Sequence, residues 1–124
     1  MSIHQVVSVN KTPKAVYEML TDAKKFAALS GGKARISVRP GGAISLFDGD
    51  MTGFTIELVP NKRVVQAWRA NYWPKGVYSI VRFELAKDGK GTRLTFDQAG
   101  HPDDDEAALA EGWRDYYWAP MNAS

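Results

Sequence analysis

The rhythm of hydrophobic and polar positions changes twice along the chain. Residues 3–9 (IHQVVSV) are rich in β-branched side chains and predict a first strand. Thr12-Pro13 then supplies an N-cap and a first-turn proline, and Val16, Met19 and Leu20 fall on one helical face. Asp22 is placed to cap a second short helix carrying Phe26 and Leu29, which Gly31-Gly32 ends. From residue 34 the period becomes two. Residues 34–38 and 43–47 predict strands joined by the Pro40-Gly41-Gly42 turn, with the hairpin dipeptide Asp48-Gly49 after them. In residues 52–59 the alternation puts Phe54, Ile56 and Leu58 on one face, and Pro60-Asn61-Lys62 turns the chain into a strand over 64–70.

Residues 72–76 (YWPKG) form a loop with two aromatics. Beyond it Val77, Ser79, Val81, Phe83 and Leu85 point one way, while Tyr78, Ile80, Arg82 and Glu84 point the other. Asp88-Gly89 with Gly91 makes another hairpin, and residues 92–98 set Leu94 and Phe96 on one face. Asp103, Asp104 and Asp105 open a last helix, where acids suit the positive end of the dipole. Leu109, Trp113, Tyr116 and Tyr117 give that helix an apolar side. Gly112 sits within it at a cost of about 1 kcal/mol relative to Ala, which predicts a strand passing close by. Pro120 is expected to halt the helix.

One strand, two short helices, six strands and one helix predict an α+β fold. Consecutive hairpins imply a curved antiparallel sheet of six to seven strands wrapped on the C-terminal helix. Residues 1–124 read as a single domain, long enough to bury about two-thirds of its unfolded surface. The gap between sheet and helix is the natural place for a pocket.

Composition narrows the chemistry. The absence of cysteine excludes disulfides, thiolate nucleophiles and Cys-based zinc sites. No secretory leader and no membrane-length apolar run are evident, so a cytoplasmic location is expected and membrane association is not. A net charge of +2 without a dense basic stripe argues against nucleic acid. His4 has no nearby partner in sequence and His101 precedes Pro102 in a loop, so the two isolated histidines are expected to form no triad or dyad. The run Asp103–Asp105 lacks the alternating oxygens and glycine turn of a calcium loop. Gly41-Gly42 is no phosphate loop, and no Gly-x-Ser-x-Gly elbow occurs. No catalytic residue, metal or cofactor is therefore expected. Arg69, Arg82, Glu57 and Glu84 alternate with apolar neighbours and should face outward as cross-strand pairs. The alternative is an arginine turned into the cavity to hold a carboxylate.

The aromatic residues carry more information. Trp68, Tyr72, Trp73, Tyr78, Trp113, Tyr117 and Trp118 lie on late strands, one loop and the last helix. Most should fill the space between sheet and helix. Trp73, between Tyr72 and Pro74 in a loop, is the best candidate for exposure. The binding candidates are Trp68, Tyr72, Trp73, Tyr78, Arg82, Trp113 and Tyr117.

Asp48-Gly49, Gly53, Leu58-Val59-Pro60, Trp68-Arg69 and Trp73-Pro74-Lys75-Gly76 occur in an order that resembles the activator-of-heat-shock-protein-90-ATPase family. Gly91-Thr92, Leu94, Gly100, Pro102, Gly112-Trp113 and Tyr116-Tyr117-Trp118 extend the likeness over nearly the whole chain. The resemblance implies a START-like (SRPBCC) helix-grip fold, cytoplasmic residence and an association with chaperones or stress. It corresponds to the C-terminal domain of two-domain co-chaperones. The N-terminal co-chaperone domain has no counterpart in this sequence, which argues against ATPase stimulation. A helix ending near Pro120 would leave part of the sheet uncovered, as an open groove or a dimer contact.

Two readings follow. A non-catalytic module binding a chaperone of the heat-shock protein 90 type, as monomer or homodimer, calls for an apolar patch near Tyr72-Trp73-Pro74 or at the uncovered end of the sheet. A carrier or sensor of a small apolar ligand calls for an enclosed cavity between sheet and helix.

Overall fold

The computed structural model describes residues 2–124. Its elements are β1 (Ser2–Val9), α1 (Pro13–Thr21), α2 (Ala23–Ser30), β2 (Arg35–Ile36), β3 (Ala43–Leu46), β4 (Met51–Val59), β5 (Arg63–Ala70), β6 (Ser79–Asp88) and β7 (Gly91–Ala99), followed by α3 (Glu106–Trp113) and α4 (Ala119–Ala123). Both early helices start at their caps. Thr12 Oγ1 accepts the Ala15 N–H at 3.2 Å and Asp22 Oδ1 accepts the Lys25 N–H at 3.1 Å. Gly31 ends α2 at φ +78°, a left-handed position that favours glycine.

The seven strands form one antiparallel sheet in the order β1-β7-β6-β5-β4-β3-β2. Hairpins or short turns join the consecutive pairs from β2 to β7. The first strand is the exception: α1 and α2 carry the chain away, and β1 instead pairs along its whole length with β7, from Ser2 opposite Ala99 to Val9 opposite Thr92. Val64, Val81, Phe83, Leu94 and Phe96 line the inner face and are fully buried against the helices. This is the expected α+β arrangement of a curved sheet holding a C-terminal helix.

Five local expectations give way. The strand predicted over 34–38 is two residues long, because the chain folds back at Ser37, whose side chain fills the space a Cβ at Gly42 would need. The following strand stops at Leu46. Phe47 and Asp48 take φ of 52° and 59°, which turns the Phe47 ring inward against Phe26 and Tyr117.

On β4 the expected common face of Phe54, Ile56 and Leu58 is split by a bulge between Thr55 and Glu57. The extra residue resets the alternation. Thr55 and Leu58 sit opposite the inward-facing Gln66 and Val64, whereas Phe54 and Ile56 are 44% and 42% exposed.

No strand presses on Gly112. A Cβ there would meet only the Tyr116 ring, at an ordinary 3.7 Å.

Pro120 does not halt the helix either. Residues 114–118 form a π turn in which the Ala119 N–H reaches the Arg114 carbonyl. Pro120 then falls in the first turn of α4, where a missing N–H matters little. The wider turn also rotates the buried face. Tyr117, Trp118 and Met121 point inward, and Tyr116 is 63% exposed instead of sharing the apolar side.

Candidate functional site

The inner face is organised by its tryptophans. Trp113 packs at a tilt against Phe96 and Tyr117, with ring centroids 4.2 and 4.3 Å away, and lies 5.2 Å from Trp68. Its indole N–H donates to Gln98 Oε1 at 2.8 Å. Gln98 Nε2 donates to Ser79 Oγ at 3.0 Å, and Ser79 Oγ donates to the Trp68 carbonyl at 2.7 Å. This buried relay ties α3 to three strands while leaving none of its links unpaired. Trp118 is tethered similarly, its indole donating to Gln5 Oε1 at 2.7 Å while Gln5 Nε2 donates to the Ala110 carbonyl at 3.0 Å.

Trp73 is buried, not exposed. Its indole donates to Asp105 Oδ2 at 2.8 Å, and the Tyr72 hydroxyl donates to the same oxygen at 2.7 Å. The expected apolar patch around Tyr72-Trp73-Pro74 is thereby reduced to Tyr72 and Pro74. Asp105 stands at the N-terminus of α3, as read from sequence, but its carboxylate makes no capping bond and is spent on the aromatic loop. Although the Tyr72 ring is 63% exposed, loss of solvent around its hydroxyl and the bond to Asp105 push its pKa up to about 12. Burial pushes the Tyr117 hydroxyl up as well.

The void between the C-terminal helix and the sheet is about 120 Å³, bordered by Phe47, Trp68, Tyr72, Gly112, Trp113 and Tyr117 among others. That falls short of the roughly 300–1,000 Å³ of most ligand sites. The enclosed cavity expected for a carrier is filled mainly by aromatic rings.

The outer face is different in kind. Phe54, Ala67, Ile80 and Ala99 lie opposite one another on β4, β5, β6 and β7, forming a transverse apolar row. Ile80 is 47% exposed, and Tyr78 extends the row with its ring 6.0 Å from that of Phe54. Beside this row runs a band of charge: Arg82 pairs with Asp97 at 3.4 Å and Glu84 at 3.6 Å, and Arg63 with Glu57 at 2.9 Å. Arg82 therefore serves the outer surface and does not reach the void between helix and sheet. Arg69 instead clamps the aromatic loop, donating to the carbonyls of Trp73, Pro74 and Val77 at 2.9–3.2 Å. The structure thus brings Trp68, Tyr72, Trp73, Trp113 and Tyr117 together and sets Tyr78 and Arg82 on the opposite side of the sheet.

Each histidine has a carboxylate partner that sequence distance concealed. His4 Nδ1 lies 2.6 Å from Asp97 on the outer face, and His101 Nε2 lies 2.9 Å from Glu106. The His101 side chain has no exposed surface. Among the described residues no group of acids and histidines could hold a metal ion, and no helix is long and apolar enough to cross a membrane.

Comparison with known proteins decides the family. Residues 10–123 match the family model described as Activator of Hsp90 ATPase homolog 1-like protein. The chain belongs to this family. A fission-yeast (Schizosaccharomyces pombe) protein described as uncharacterized is 34% identical over 86% of the chain and 32% of its own length. The human Activator of 90 kDa heat shock protein ATPase homolog 1 is 27% identical over the same shares. The chain thus spans about a third of these relatives. An Hsp90 activator from Plasmodium falciparum has the same fold, with a TM-score of 0.91 at 23% identity, covering 99% of this chain and 94% of that one. The Aha1 dimer of Colwellia psychrerythraea superimposes with a TM-score of 0.83 at 19% identity over 99% and 95% of the two chains.

Within this Hsp90-activator-like fold, sequence reasoning missed Asp105, Phe47 and the exposed pair Phe54 and Ile80. Ile80 was legible as outward-facing from the period of β6. Asp105 carried no local signal, because its partners lie 33 and 32 residues earlier.

Proposed function

We propose that residues 1–124 act as one non-catalytic, cytoplasmic protein-binding domain whose partner is a chaperone of the 90-kDa heat-shock class. Family membership over residues 10–123 carries this reading, since the relatives of known role are described as activators of that chaperone's ATPase. The outer face supports it. A transverse apolar row flanked by ion pairs has the make-up of an interface with an apolar centre and a polar rim. The interior supports it by contrast, because a carrier of larger apolar molecules would need more room than the void gives.

The test is calorimetric titration of the chain into intact heat-shock protein 90 from the same source. A complex in the roughly micromolar range is expected. Ile80→Asp should weaken it about tenfold or more, as loss of a central interface residue does. Absence of heat at several hundred micromolar, on the order of the weakest specific contacts, would overturn the reading.

A further inference from the structure

A net charge of only +2 conceals an uneven distribution. In an antiparallel sheet alternate turns fall at the same end. The register sets Val59 opposite Arg63, Asp88 opposite Gly91 and Val9 opposite Thr92. The turns at 60–62 and 89–90 and the entry to α1 therefore share one end of the sheet. They bring Lys11, Lys14, Lys62, Lys87 and Lys90 together from three stretches of sequence. None of these five makes an ion pair with a described carboxylate, and Lys11 Nζ donates to the neutral amide of Asn10 at 2.7 Å. Asp88 is the only carboxylate in the two turns. The opposite end, where Met51 faces Ala70 and Ser2 faces Ala99, gathers Asp48, Asp50, Asp104 and Glu106 instead.

The basic end is also concave. A groove of about 510 Å³ opens there, within the roughly 300–1,000 Å³ of most binding sites. Leu85, which is buried, and Pro13 and Val59, which are half-buried, supply its apolar surface, while Lys62 and Lys87 stand exposed beside it with Arg63. Glu84 borders it too, but is held by Arg82 at 3.6 Å and Arg63 at 3.9 Å. No aromatic residue lines the groove, so the bases of a nucleic acid would find nothing to stack on. Apolar surface within a cationic rim calls for a chain that carries an aliphatic side chain and carboxylates together.

We propose that this groove docks an acidic segment of a partner protein, in which several carboxylates flank one aliphatic side chain. The aliphatic group packs on Val59 and Leu85. The carboxylates face Lys62 and Lys87, and beyond the groove Lys11, Lys14 and Lys90. Charge complementarity selects this occupant. A single exposed ion pair contributes little, but several ammonium groups that lack internal partners sum to a field that draws in and orients a polyanionic chain. The groove does not include the outer row of Phe54 and Ile80, and its role does not rest on the chaperone reading.

The test is fluorescence anisotropy with a labelled, end-blocked peptide of aspartates and glutamates around one central leucine. It is run at low salt, because exposed charges are screened beyond about 10 Å at 0.1 M. Saturable binding in the roughly micromolar range is expected. Lys62→Glu combined with Lys87→Glu should weaken it about tenfold or more. Lys24→Glu combined with Lys33→Glu makes the same change in net charge outside the groove and should alter it by no more than about twofold. Serine in place of the peptide's leucine should cost about three- to tenfold, as expected for a partly buried aliphatic side chain. Thermal melts check that each variant folds, and the milder Lys62→Gln and Lys87→Gln should each show part of the loss. The proposal is overturned by an absence of saturable binding, by equal losses in the two lysine pairs, or by indifference to the leucine. Tighter binding of a thymidine oligonucleotide of equal charge overturns it as well.

Discussion

The two faces of one sheet solve opposite problems. On the inner face aromatic rings pack edge to face, tilted and stacked, and the polar relay from Trp113 through Gln98 and Ser79 is paired along its length. On the outer face Phe54 and Ile80 stay partly bare among ion pairs. Alternation along β6 produces both, since Val81 and Phe83 are fully buried while Ile80 and Arg82 face water. Stability should therefore be concentrated on one side and partner contact on the other, with little exchange between them.

The strongest challenge to that division is Trp113→Ala. It empties the centre of the aromatic cluster and leaves Gln98 without its donor, and should cost about 3–5 kcal/mol in chemical denaturation. An unchanged midpoint would mean the inner face is not where stability resides. Asp105→Ala is expected to be milder. It strips the acceptor from Trp73 and Tyr72 and should cost about 1–3 kcal/mol, most of it from the buried indole.

A smaller effect should appear in alkali. The Tyr72 hydroxyl in the folded chain keeps its proton until about pH 12, against 10.0 ordinarily. Between those values the folded state binds more protons than the unfolded state, so stability falls as pH rises through the window. Tyr72→Phe should flatten that part of the pH–stability curve, and absorbance at the phenolate band should show late-titrating tyrosines in the wild type. Least of all, Ile80→Ser on the outer face should change stability by no more than about 0.5 kcal/mol, as exposed substitutions do. A loss as large as that of Asp105→Ala would show that the outer row is structural.

Sequence periodicity was a good guide wherever one residue meant one step. The caps at Thr12 and Asp22, the faces of β6 and β7, and the order of elements were all legible because local chemistry decides them. It failed where a single extra residue shifts the phase, at Ile56 in β4 and in the π turn before Pro120. It failed again where a distant partner decides exposure. Nothing beside Trp73 announces that Asp105 will bury it, and nothing beside Gly112 distinguishes an open space from a crowded one. Five of the seven proposed site residues do share one neighbourhood. Tyr78 and Arg82 do not, because the same alternation that identified their strand sends them to its far side.

The pairing of β1 with β7 has a consequence for how the molecule is made. Gln5 waits for Trp118, 113 residues later, and Asn10 for Asn122, 112 residues later. Such remote closures are slow to form. A ribosome making this domain must deliver all of β7 before the first strand finds its neighbour. Until then β1 is a loose β-rich segment, and any protein that shields it during synthesis would raise the yield of correctly folded molecules.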